Sequence, residues 1–536
     1  MDCRAASRSS HWVTRRASQL LALVLFVAAC SQGETPAPAA AVDRYHAQPA
    51  YQKGGTALLA DYEYPATLNP MTARTDVELR LAQLSFARLW GLDDQLRPYP
   101  DLARRVPTEQ NGGVQLGGSG AMTVTIELVP GLRWSDGQPI GADDVLLGWQ
   151  ALQKQAGRQL PDGAALSKQS DSKLTWSFSE VYAPYLALGA ELFPLPAHRL
   201  PGTSGDAFFA RPDVTSGPFA PAAAVPGQRL DWLRNPHYAD GRSERGAYPA
   251  GDGPFTHQAW LDGVSFRTVP SRQALLDQAQ AGGADLISHL TAPDLAALRL
   301  VPGQAIAASA AERMEFLRPL GTLRDDRQLL DALSLALDRE QLVHDSQAGY
   351  GKPASGPFPS ALTAAGAIGG SRPDPAAARR ALAGRTVTVT VLALCEDASG
   401  GLTQGSLARQ WAPMGVTVRA TCRPRDQFLA ALQGTEPLLA LYSDDPGSDP
   451  SDWAPLACPD RALQESLTVG RTSLDPAARR RAFQAAAQRW VGIRCTLPLY
   501  EPERLSQVSA RLHNFAPSPG SGLGTWNAAD WWLQAG

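Results

Sequence analysis

What this chain of 536 residues lacks already excludes several classes of function. After residue 31 no segment approaches the roughly 20 apolar residues that a membrane-spanning helix requires. Lys and Arg number 49 against 52 Asp and Glu, a formal net charge of -3. No basic run or interleaved aromatic stripe supplies a phosphate-tracking surface, so nucleic acid is excluded as a partner. GxSxG, HExxH, CxxC and GxxxxGK[ST] are all missing, and with them the familiar hydrolase, zinc-peptidase, redox and nucleotide chemistries. A secreted hydrolase would need an activated nucleophile, and none is legible. His198, His237, His257, His289, His344 and His513 are scattered and read as structural or surface residues. No metal site, cofactor or enzymatic activity is expected.

The one conspicuous apolar run is short: LALVLFVAACS, Leu21 to Ser31, preceded by Arg4, Arg8, Arg15 and Arg16. A cationic start, an apolar centre and small residues before a cleavage point are the parts of a secretory signal. Val27-Ala28-Ala29-Cys30 resembles a bacterial lipobox, which implies cleavage before Cys30 and acylation of that residue. An ordinary signal with an incidental cysteine is the plain alternative. The stretch SQGETPAPAAAVDRYHAQPAYQKGG that follows is rich in Pro, Ala, Gly and Gln without apolar periodicity, as a tether would be. More than one acyl chain anchors a protein stably. The expectation is a signal over residues 1–29, a tether over 30–50 and an extracytoplasmic globular part held to a membrane through Cys30.

The remaining length exceeds what one hydrophobic core supports, so two or three domains are expected. Strand and helix patterns alternate: AMTVTIELV and LTWSFS have period two, ADDVLLGWQALQK and RQALLDQAQ helical spacing, and RQLLDALSLALDREQLV reads as one long buried helix. PDPAAARRALAG and SLDPAARRRAFQAAAQRWV begin with proline at helix starts. The class is mixed α/β. Beyond Cys3 and Cys30 four cysteines remain, and in an oxidising compartment an even number suggests disulfides. Of three possible connectivities, Cys395–Cys422 with Cys458–Cys495 is favoured, because the first two end apparent strands, TVTVTVLALC and GVTVRATC, joined by a helical stretch as in a βαβ unit. Zinc is the rival, but the spacings lack close pairs.

Leu128 to Leu152, LVPGLRWSDGQPIGADDVLLGWQAL, reads as a strand, an Asp136-Gly137 turn, a second turn at Pro139, and a helix with Asp143 and Asp144 in its first turn. Here the chain resembles extracellular solute-binding protein family 5, the oligopeptide-, dipeptide- and nickel-binding proteins of ABC importers. Leu132, Trp134, Asp136-Gly137, Pro139, Ala142, Asp144 and Val145 fall on the family signature. GGTALLADYEYPATLNP and RPYPDLARRVP precede it. TSGPF, RNPHYADG, LDGVSFRTV, AGGADLI, DDRQLLDALSLALDREQLV, GYGKPASGPFP and DDPGSDPSDW follow in the family's order. The chain departs from it at Gln328 and Leu330, where arginines are usual, and in the insertion GRSERGAYPAGDGPFTH.

The resemblance implies a two-lobed, type II periplasmic-binding-protein fold. Lobe one would span 51–310 with an inserted subdomain near 91–213, lobe two 311–499, and 500–536 would return to lobe one. It implies capture of peptides, or a related small solute, in an interlobe cleft and delivery to ABC permease subunits by a monomer. A surface sensor of the same fold is the alternative, and nickel chelate, haem, opine or oligosaccharide are rival ligands, since fold does not fix ligand. The family's aspartate for a peptide amino terminus matches Asp445 or Asp444 in Leu441-Tyr442-Ser443-Asp444-Asp445-Pro446, with Tyr442 and Trp453 alongside. A helix cap, a solvated loop or a calcium loop are the alternatives there. Glu63 and Tyr64 are nominated from the first lobe-one loop. Gly217 and Phe219 come from TSGPF, where an ordinary tight turn is the other reading.

Overall fold

Alternating apolar residues build the first strands: in Met122–Glu127 the side chains of Met122, Val124 and Ile126 are buried and their neighbours half-buried, the pattern of a sheet with one face on a core. The computed structural model describes residues 52–118, 120–155, 160–200, 206–240, 258–365, 372–520 and 524–534. The expected signal, tether and Cys30, and the insertion at 241–257, lie outside these residues. Among the described residues no helix is long and apolar enough to cross a membrane.

Three larger sheets organise the chain. A seven-stranded sheet has the order Gln304–Ser309, Arg504–Ser509, Leu286–Leu290, Thr56–Asp61, Gly263–Thr268, Arg229–Arg234, Phe219–Val225. Thr56–Asp61 runs parallel to both its neighbours, and the outer pairs are antiparallel. A six-stranded sheet has the order Gly351–Pro353, Leu497–Pro502, Met314–Pro319, Leu439–Asp444, Val387–Leu394, Val416–Arg423. The chain leaves the first sheet after Ser309, enters the second at Met314, and returns between Pro502 and Arg504. These two crossings join two lobes, each with apolar clusters of its own.

The third sheet, four antiparallel strands, belongs to a unit inserted in lobe one, where Trp134, Trp149 and Trp176 are buried together with the helix Ala142–Gln153. Here the signature proves to be a packing device. Asp144 accepts from the backbone N–H groups of Gly141 at 2.8 Å and Ala197 at 2.9 Å, and from the Trp134 indole at 3.3 Å. It ties strand, turn and helix into one piece.

Lobe two departs from one expectation. RQLLDALSLALDREQLV forms two helices, Arg327–Leu335 and Arg339–Gln347, because the Asp338 carboxylate accepts from the Gln341 N–H at 3.0 Å and starts a new helix. Cys395 and Cys422, at the ends of the parallel strands Val387–Leu394 and Val416–Arg423, form one disulfide with Cα atoms 4.9 Å apart. Cys458 and Cys495 form the other, at 5.6 Å.

Candidate functional site

The two crossings bring side chains of both lobes around a cavity of about 390 Å³. Behind its lobe-one wall lies Asp61, the last residue of the central strand Thr56–Asp61, which is fully buried and pairs with the lining residue Arg80 of the helix Asp76–Ser85 at 2.6 Å. A buried pair of this kind is costly to break from either side.

Beside it stands His289. The pairing of Leu286–Leu290 with Arg504–Ser509 runs Leu286 to Val508 and Ile287 to Gln507, then slips to Leu290 with Leu505. The extra residue is a β-bulge, and His289 takes φ +64° within it, the left-handed region that non-glycine residues enter only when the surroundings hold them there. The bulge aims the imidazole between two carboxylates: Nδ1 lies 3.2 Å from Asp61 Oδ1 and Nε2 3.7 Å from Asp76 Oδ2. Burial alone would lower the His289 pKa, but those carboxylates outweigh it and raise it to about 8. The imidazolium and the neighbouring arginines in turn hold Asp61 and Asp76 below the usual carboxylate range against their own burial.

The network continues across the return crossing. Arg504 Nη1 is 3.0 Å from Asp76 Oδ2, and its Nη2 is 3.6 Å from Asp445 Oδ2 in lobe two. One guanidinium thus links a lobe-one helix to a lobe-two loop. On the lobe-one side the cavity also meets Tyr62 and Arg272, the latter ion-paired with Asp294.

The lobe-two wall is of the opposite character. Glu315, Ser443, Glu396, Asp397 and Ser399 line it, with Arg313 and Arg425 as its cations. Asp444 and Asp445 stand just beyond, at the end of the strand Leu439–Asp444. Burial raises both their pKa values; Asp445 adds to the rise at Asp444 and Asp76 to that at Asp445, while Arg313 works against the rise at both. Lobe one therefore brings its cations each paired with a carboxylate, whereas lobe two brings more carboxyl groups than cations. A zwitterionic ligand fits such a field in one direction.

None of the nominated ligand residues lines the cavity itself; Asp445 stands next to it through its contact with Arg504, a lining residue. Glu63 lies next to the network, its N–H donating to Asp61 Oδ1 at 3.1 Å. Tyr442 is packed in the lobe-two core between Phe316 and Phe428, with ring centroids 4.6 and 5.8 Å away. Trp453 is fully buried in that core, edge-on to Phe358. Tyr64 packs on the lobe-one core, and its phenol turns to the Gly227 backbone. Gly217 donates to Ser85 O at 2.8 Å in a buried turn, and Phe219 is a lobe-one core residue. Apolar residues beside a nominated carboxylate went to the nearest core, the more favourable place for them.

Sequence reasoning missed Asp61, Asp76, Arg80, His289, Glu315 and Arg504. His289 had a signal, a polar residue closing the apolar strand of AGGADLISHL. Asp76 and Arg504 had none, since only the fold brings together residues so far apart. A second cavity, of about 480 Å³, opens between the inserted unit and lobe two, where Leu96 and Tyr185 face Thr363, Ser448 and the Asp449–Arg479 ion pair.

Comparison with known proteins adds the following. The profile described as bacterial extracellular solute-binding proteins, family 5, middle region, matches residues 98–456. Protein XP55 of Streptomyces lividans is 26% identical over 285 residues, 51% of this chain and 47% of its own length, so the chain spans about half of that relative. The structure of the ABC transporter substrate-binding protein CtaP from Listeria monocytogenes superposes with a TM-score of 0.76 at 20% identity, covering 90% of this chain and 100% of that one. That of the oligopeptide-binding protein AppA from Bacillus subtilis, in complex with a nonapeptide, gives 0.67 at 16% identity, covering 90% and 100%. The likeness shows the fold, the type II two-lobed architecture.

Proposed function

Given that the chain belongs to the bacterial extracellular solute-binding proteins of family 5, we propose that it captures a short peptide, or a related small solute, between its lobes and hands it to the permease of an ABC importer. Members of this family are binding proteins, not enzymes. AppA of Bacillus subtilis is an oligopeptide-binding protein seen with a nonapeptide, and that precedent is extended here to this chain. Residues Arg4 to Cys30 support the further reading of a lipoprotein, cut before Cys30 and tethered outside the cytoplasm.

The observation that carries the reading is Asp445. Its carboxylate is half-exposed on lobe two and faces the cationic network of lobe one through Arg504 at 3.6 Å. In this role Asp445 accepts the ligand's amino terminus, a charge that needs a fixed partner once water is excluded. The carboxylate end of the peptide lies toward His289, Arg80 and Arg272, and extended backbone between them adds its own hydrogen bonds while side chains find permissive pockets. Nothing here breaks a bond. Ligand that touches both walls binds the closed arrangement more tightly than the open one, and that difference drives closure.

Calorimetry of Asp445→Asn with one peptide in free and amino-acetylated forms tests the assignment. A hydrogen-bonded charge pair is worth about 1.5–3 kcal/mol, so the free peptide should lose about tenfold or more in affinity and the acetylated form should hardly change. Equal losses for both would remove Asp445 from the role.

A further inference from the structure

The lobe-two wall holds a carboxyl group that the reading above does not use. Glu315 sits at the cleft end of the strand Met314–Pro319 and lines the interlobe cavity, yet it is only 2% exposed. Its Oε2 accepts from the Ser443 hydroxyl on the neighbouring strand. Among the described residues its Oε1 has no hydrogen-bond partner. The residue opposite on the other side, Tyr500, cannot serve, because its hydroxyl is engaged with Thr403 at 2.8 Å and Gln347 at 3.2 Å. Polar groups this deeply buried are ordinarily paired, and an orphaned one facing a ligand cavity points to what the ligand brings.

The charge around Glu315 says which sign that is. Asp397, in the loop ahead of the helix Gly400–Trp411, faces it and shares the cavity with Glu396. Arg313, on the crossing segment, opposes them, but among the described residues no ion pair joins Arg313 or Arg425 to Glu315. Three carboxyl groups, those of Glu315, Glu396 and Asp397, thus share the wall with two arginines. Glu315 lies directly across from Ser443, two residues before Asp445, so two residues of rise and one inter-strand spacing put its backbone about 8 Å from that of Asp445, a gap that one lysyl side chain and the two acidic side chains span.

We propose that Glu315 receives a second positive charge, so that the cleft selects peptides whose amino-terminal residue is lysine or arginine. This rests on the peptide reading with Asp445 at the amino terminus. Burial first, and then Asp397, push the Glu315 carboxyl up to about 8, with the Ser443 hydroxyl and Arg313 opposing. The empty site therefore holds a proton at pH 7. A ligand ammonium replaces that proton, which leaves to solvent, so uptake of the basic peptide releases it.

Calorimetry at pH 7 in two buffers of different ionisation heat, with Lys-Ala-Ala and the isosteric norleucyl-Ala-Ala, tests this. The intact protein should bind the lysyl peptide about tenfold more tightly or better, with release of about one proton, and the norleucyl peptide with none. Glu315→Gln should abolish both the preference and the proton release. Equal affinities in the intact protein, or no proton release, overturn the inference alone and require no variant. Failure of both peptides to bind overturns it together with the peptide reading.

Discussion

His289 gains its proton affinity from the fold, and that gain is returned as stability. Its pKa is about 8 in the folded protein and about 6.5 in an unfolded chain. A raised folded value means that the native state binds the proton more tightly. The contribution is therefore complete below about pH 6.5 and lost as pH rises through 8, amounting to about 2 kcal/mol. Glu312, pushed by burial to about 7, and Glu315, at about 8, act in the same direction. Urea denaturation should find the protein less stable at pH 9 than at pH 6, with a smaller difference in His289→Gln. An unchanged difference in that variant would contradict the charge pairing at the bulge. Asp445 could be nominated from its neighbours in the chain; His289 could not, because an imidazole acquires this character from Asp61 and Asp76, 228 and 213 positions away.

At the scale of the element, sequence patterns carried the fold far and the site only part of the way. The alternation in AMTVTIELV, and the prolines that open Pro375–Ala381 and Pro476–Gly492, are local physics and appear as read. Asp338 shows a local signal overlooked: it splits what reads as one helix. TSGPF shows the limit. Gly217 lies where a Cβ would come within 2.6 Å of the Ser85 carbonyl carbon and 2.7 Å of Leu84 O, so its lack of a side chain serves the approach of a helix end and not of a ligand. Gly217→Ala should cost about 1–3 kcal/mol through backbone displacement, visible as a lower urea midpoint, with ligand affinity per folded molecule unchanged. A stable variant with weakened binding would reverse that assignment.

For the whole molecule, the decisive geometry is that the chain passes between the lobes at two places, and the ligand-facing charges cluster there. The cavity, the His289 bulge, Glu315 and Arg504 all lie within a few residues of a crossing or of a strand paired with one. Arg504 holds Asp76 of one lobe and Asp445 of the other, so a ligand that takes Asp445 must share or displace that guanidinium. Binding and lobe arrangement are coupled by one side chain. The two-lobed architecture was legible in the sequence because its blocks keep their order over most of the chain. The polarity of the cleft was not, since it arises from residues on both lobes that meet only after folding. The most direct test of peptide capture is native mass spectrometry of the protein gently purified from an exporting host, compared with its denatured mass. The account predicts a ladder of additional masses fitting short peptides, whereas a protein that is empty and stays empty when offered peptide mixtures would contradict it.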